Sequence, residues 1–100
     1  MTNSRERSPL SFLISQAELP ANTLRDEAKA RLRLTQYADT FSTMLRLLRR
    51  RDAYNWQKTT YDLQRQEIQL ARAGLHDMCG MIADRLMTDW KKLHSPEKPK

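Results

Sequence analysis

From residue 22 onward the apolar positions of this chain recur in steps of three and four. Leu34, Tyr37, Ala38, Phe41, Met44, Leu45 and Leu48 follow one another at that spacing, which is the period of one helix face. Asn22-Thr23, with Asp26 three residues on, forms an approximate capping box, so the pattern predicts a helix from there to about residue 51. Its first half (Leu24, Ala28, Leu32) is thinner and more charged. Residues 49–60, Arg-Arg-Arg-Asp-Ala-Tyr-Asn-Trp-Gln-Lys-Thr-Thr, interrupt the stripe. A bend or short loop belongs there, with Asp52, Asn55 and Thr59 as candidate caps. The stripe then resumes through Tyr61, Ile68, Ala71, Leu75, Met78, Ile82, Leu86, Trp90 and Leu93. Gly74 falls inside this second stripe without shifting its register, so the spacing predicts one helix with a close-contact point at the glycine. Ahead of both, Ser8-Pro9 is a start signal. A short helix over about 9–18 would put Leu10, Leu13, Ile14 and Ala17 on one side, and Pro20 would stop it.

The expected fold is therefore all-α: a short N-terminal helix plus two long antiparallel helices in a hairpin or bundle. Val is absent and Gly occurs twice, a poor composition for strands and tight turns. The domain reading is a flexible N-terminus over 1–7, one helical domain over 8–94 and a flexible basic tail over 95–100. No internal repeat is evident. Each long helix, at roughly 28 residues, would span about 42 Å. The last helix also shows a second apolar line, Trp56, Leu63 and Leu70, and the middle helix offers Leu47 off its own stripe. A helix with two apolar lines needs two neighbours. A chain of 100 residues buries only roughly two-thirds of its unfolded surface, so completion by dimerisation or by a partner is expected. The plainer alternative is that these residues are scattered on the surface, as in any protein.

Hydropathy and cysteine usage narrow the setting. With 39% apolar residues the chain is not a disordered polyelectrolyte. No apolar run approaches the ~18 residues of a membrane span, and the stretch Leu10–Ile14 is too short for a signal-peptide core. Cys79 is the single cysteine, which excludes an internal disulfide. The expectation is a cytoplasmic protein of the producing or host cell, without membrane association.

Charge adds a candidate surface. The formal net charge is +6, and it is unevenly placed. Residues 1–51 carry ten basic and five acidic side chains, residues 52–90 four and six, and the tail from Lys91 four and one. A basic middle helix suits phosphates, through counterion release, and equally an acidic protein surface. For a protein partner, the expected contact set is Arg46, Arg49, Arg50, Arg51, Tyr54, Trp56, Leu63 and Leu70, since Arg, Tyr and Trp dominate interface energies. For a nucleic acid, it is Asn22, Thr23, Arg25, Lys29, Arg31 and Arg33. The second set draws on a faint helix-turn-helix look: Leu13, Ala17, Leu19 and Leu24 at apolar positions, a turn at Leu19-Pro20-Ala21 and a polar start to the following helix. Glu18 at the usual glycine position and Ile14 at the usual small residue depart from that motif.

Catalytic signals are thin. No glycine-rich phosphate loop or Ser/His/Asp order occurs, and carboxylates five apart, such as Asp84 and Asp89, do not share a helix face. His76 and Cys79 stand three apart and would offer two zinc ligands, but two more are wanting, and Cys79 borders the apolar stripe as a small core residue would. No cofactor, metal or small-molecule substrate is expected. In general character the chain resembles accessory proteins of phages, satellites and plasmids, a resemblance of genre that rests on no motif. The functional expectation is a non-enzymatic helical protein that binds and regulates, inhibits or redirects another protein or itself. The alternative is a small basic DNA- or RNA-binding regulator.

Overall fold

The computed structural model describes residues 9–94, and every regular element within them is helical. Helix α1 spans Pro9–Gln16, a 3-10 helix spans Ala21–Asp26, and α2 (Glu27–Arg49), α3 (Ala53–Arg72) and α4 (His76–His94) follow. The start signal at Ser8, the expected flexible N-terminus and the expected basic tail lie outside the described residues. Helix α2 is the central element: α1, the 3-10 helix, α3 and α4 all pack against it. Its buried face is Ala30, Leu34, Tyr37, Ala38, Phe41 and Leu45, close to the stripe read from the sequence. Leu48, the last member of that stripe, is exposed because the helix ends one residue later. The thin first half is not a core face at all: Leu24, Ala28 and Leu32 are exposed, and Ala30 is buried instead.

The all-α class holds, but the expected second long helix is two helices. The chain turns at Ala73-Gly74 through a left-handed residue. Gly74 has φ +79°, its N–H donates to Ala71 O (3.0 Å), and the Leu75 N–H reaches back to Leu70 O (2.8 Å). These two bonds are the Schellman arrangement that satisfies the last carbonyls of a helix. The flanking leucines that accompany it, Leu70 and Leu75, are both fully buried. Asn22 of the 3-10 helix secures the corner by donating from Nδ2 to Ala73 O (3.2 Å).

That break changes which line faces inward. With α3 and α4 independent, each needs only one buried face. Helix α3 buries Leu63 and Leu70, with Trp56 half-buried, while α4 buries Met78, Cys79 and Ile82, with Leu75 buried just ahead of it. The line Tyr61, Ile68 and Ala71, read as core, is exposed. Leu63 and Leu70, assigned to a partner contact in the sequence reading, sit in the chain's own core at 6% and 1% exposure.

The α2–α3 corner uses the same device without a glycine. Arg51 adopts φ +60°, its N–H donates to Leu48 O (3.1 Å), and the Asp52 N–H donates to Leu47 O (3.0 Å). A left-handed arginine costs on the order of 1 kcal/mol. Asp52 then caps α3, accepting from the Asn55 backbone N–H (3.2 Å) and Nδ2 (2.8 Å). Those hydrogen bonds from Asn55 hold the Asp52 carboxyl below its ordinary range. The expected bend is thus a three-residue turn, and Thr59 lies inside the helix.

At the other end, Pro20 precedes the 3-10 helix, and Thr23, which is buried, donates from Oγ1 to Pro20 O (2.8 Å). The capping box expected there does not form. Arg31 of α2 ties α1 down. Its guanidinium donates to Ile14 O, to Ala17 O (2.9 Å) and to Glu27 Oε2 (3.1 Å), satisfying carbonyls that α1 leaves open at its end. Charge-assisted bonds of this kind contribute about 1.5–3 kcal/mol. An Arg31→Ala variant is therefore expected to lose about 2 kcal/mol and to speed amide hydrogen exchange across residues 10–17 selectively. Uniform acceleration through all helices would contradict this role.

Among the described residues no helix is long and apolar enough to cross a membrane.

Candidate functional site

The eight residues expected at a protein interface do not form one surface. Arg46 and Arg49 line a hollow with Ser42, Leu86, Asp89 and Trp90, on the α2–α4 side. Arg46 also donates to Thr43 Oγ1 (3.2 Å). Arg51 lines a second, smaller hollow of about 240 Å³ with Leu47, Leu48, Ala53 and Trp56. Tyr54 lines a third with Gln57, Lys58, Tyr61 and Asp62. Arg49, Arg50, Arg51 and Tyr54 are exposed, Trp56 is half-buried, and Leu63 and Leu70 are core. The arginine–aromatic tip exists, but it is divided among faces.

The nucleic-acid set is dispersed further. Asn22 is bonded to Ala73 O, Thr23 is buried, and Arg31 is spent on α1. Arg25, Lys29 and Arg33 remain exposed. A helix-turn-helix reading requires the segment after Pro20 to start a helix free to enter a groove. Here that segment is a 3-10 helix packed on α2, with Asn22 bonded to the α3–α4 corner.

The titratable core groups are structural. Tyr37 is fully buried and donates from its hydroxyl to Glu67 Oε2 (2.9 Å), joining α2 to α3. Burial, then the Glu67 hydrogen bond and charge, push the Tyr37 hydroxyl well above its ordinary value of 10.0. Because the folded state holds this proton more tightly, its contribution is complete below pH 10 and is lost as pH rises above it. Alkaline titration of stability should show a fall beginning near pH 10 that is smaller in Tyr37→Phe; equal slopes in both proteins would contradict the linkage. Burial likewise pushes the Cys79 thiol up to about 11. His76 is exposed. Among the described residues no three His, Cys, Asp or Glu side chains gather as a metal site.

A further hollow, of about 680 Å³, lies between the α1 end and the start of α4, and its lining includes Phe12, Leu13, Leu19, Leu75, Met78 and Met81. It is mostly apolar and open to solvent.

The feature that remains is the outward face of α3. Tyr54 is 69% exposed, Tyr61 66% and Ile68 54%. They stand seven apart, so on a helix they form one line about 21 Å long. Lys58, Arg65 and Arg72 follow each of them by four, and Gln57, Gln64 and Ala71 by three. Such offsets flank the apolar line on its two sides. All of these side chains are exposed. Residues 54–74, which cover α3 from Tyr54 and the turn that ends it, thus read as three aligned heptads, YNWQKTT, YDLQRQE and IQLARAG. The third position (Trp56, Leu63, Leu70) turns to the core and the first (Tyr54, Tyr61, Ile68) to solvent. Lys58 Nζ stands 5.5 Å from the Tyr54 ring centre, a cation–π distance.

Comparison with protein-family models, curated proteins and solved structures gives no match.

Lys58, Arg65, Ile68 and Arg72 were not among the residues expected to bind anything. The signal that would have found them is the seven-residue spacing, which is visible in the sequence once the helix is taken to end at Gly74.

Proposed function

We propose that this chain is a non-enzymatic helical interaction protein that binds another protein through the outward face of α3 and the adjoining α2–α3 corner, and thereby regulates, inhibits or redirects it. The observation that carries this reading is the uncovered line of Tyr54, Tyr61 and Ile68. Isolated exposed apolar residues are ordinary, but Tyr54, Tyr61 and Ile68 are aligned in one row along a single helix face. Helix-on-helix recognition uses such a row, and tyrosine is a favoured anchor for it. Arg49, Arg50 and Arg51 at the adjoining corner are exposed and offer further groups of the kind that carry interface energy.

Placing the photoreactive residue benzoylphenylalanine at position 61 tests this in the producing cell. The expected result is an adduct to one protein, lost on Ile68→Asp and missing when the probe replaces Asp84 on α4. Adducts only to nucleic acid, adducts only between copies of the chain, or no adduct would each overturn the proposal.

A further inference from the structure

Resting on that reading, we infer that the partner presents an acidic amphipathic helix, which lies along α3 with its apolar residues on Tyr54, Tyr61 and Ile68 and its carboxylates beside Lys58, Arg65 and Arg72. Position by position, the three heptads are apolar at their first member and basic at their fifth in every repeat. A partner helix packed on the first-position line must place residues next to the fifth-position row. Only negatively charged side chains there meet opposite charge along the whole contact. The row on the other side, Gln57, Gln64 and Ala71, is uncharged and sets no requirement of sign.

A second copy of the chain is the obvious competitor, and the same charges argue against it. Laid antiparallel, two α3 helices would set Lys58, Arg65 and Arg72 against their own copies. Laid parallel, the basic row would face position seven, which within α3 holds Thr60 and Glu67. Its single carboxylate, Glu67, already accepts the Tyr37 hydroxyl. Nucleic acid would also meet the basic row, but the apolar line ends in Ile68, which has no aromatic face for a base.

Two synthetic peptides of 21 residues test the inference by fluorescence anisotropy on the full chain. Both carry Leu at heptad positions one and four; one carries Glu at positions five and seven, the other Lys. The Glu peptide is expected to bind at least tenfold more tightly, since three exposed charge pairs together are worth about that factor. A Lys58→Glu/Arg65→Glu/Arg72→Glu variant should reverse the preference. The milder Lys58→Gln/Arg65→Gln/Arg72→Gln variant should abolish it with the helical circular-dichroism signal intact. Equal affinity for both peptides, tighter binding to a random 20-base-pair duplex, or dimerisation through this face in sedimentation would overturn the inference. Binding of neither peptide, with the position-61 protein adduct still formed and unaffected by charge reversal, would end the inference but leave the broader reading standing. Loss of that adduct from the unmodified surface would end both.

Discussion

A Leu63→Ser, Leu70→Ser double variant is expected to be unfolded at room temperature. Both leucines belong to the buried cluster, at 6% and 1% exposure, on a helix that packs against α2, the element every other one packs on. Truncating one buried leucine to alanine costs about 2–5 kcal/mol, and a serine hydroxyl left without a partner adds to that. Two such changes amount to about 4–10 kcal/mol, comparable with the whole stability of a domain this size at roughly 5–15 kcal/mol. The matched change on the opposite face, Tyr61→Ser with Ile68→Ser, removes exposed side chains and should cost about 1 kcal/mol or less, through helix propensity alone. Circular dichroism and thermal melting of the two variants separate the faces directly. A folded first variant with an unfolded second would mean that α3 is turned the other way round.

That pair of variants also marks where the sequence is legible and where it is not. The core face of α2 can be read because neighbours cover it along most of its length, so periodicity and burial coincide at Leu34, Tyr37, Ala38, Phe41 and Leu45. In the last forty-odd residues two apolar lines compete, and period alone cannot rank them. Tyr61, Ile68, Leu75 and Ile82 stand seven apart, so the exposed line of α3 runs in phase into the buried line of α4. The agreement is accidental: a left-handed residue at Gly74 resets the helix axis, and phase on one side implies nothing about the other. Without the break, Leu63 and Leu70 look like surplus apolar residues seeking a partner. With it, they are core, and the surplus is Tyr54, Tyr61 and Ile68. Arg31 shows a second limit. An arginine among arginines reads as part of a binding surface, yet its partners are backbone carbonyls fourteen and seventeen residues earlier in the chain, and no local pattern announces such a contact.

The two glycines should respond to alanine with opposite signs. Gly74→Ala is expected to destabilise by about 2–3 kcal/mol, lowering the melting temperature by roughly 10 °C. Its φ of +79° disfavours any L-residue by about 1 kcal/mol. A Cβ there would also stand 3.1 Å from Asn22 Oδ1 and 3.2 Å from Pro20 Cγ. Asn22 would have to yield, and its bond to Ala73 O is worth about 1 kcal/mol. Gly80 is different: it lies inside α4 and is exposed, and a Cβ there meets nothing within 4 Å. Gly80→Ala should stabilise by about 0.5–1 kcal/mol through helix propensity. Had the chain from Ala53 to His94 been one continuous helix, both substitutions would raise stability, because both would put alanine into a helix interior. A rise in melting temperature for Gly74→Ala would therefore restore the unbroken helix, and with it the inward placing of Tyr61 and Ile68. A fall for Gly74→Ala beside a rise for Gly80→Ala would fix the corner, and with it the exposed face of α3.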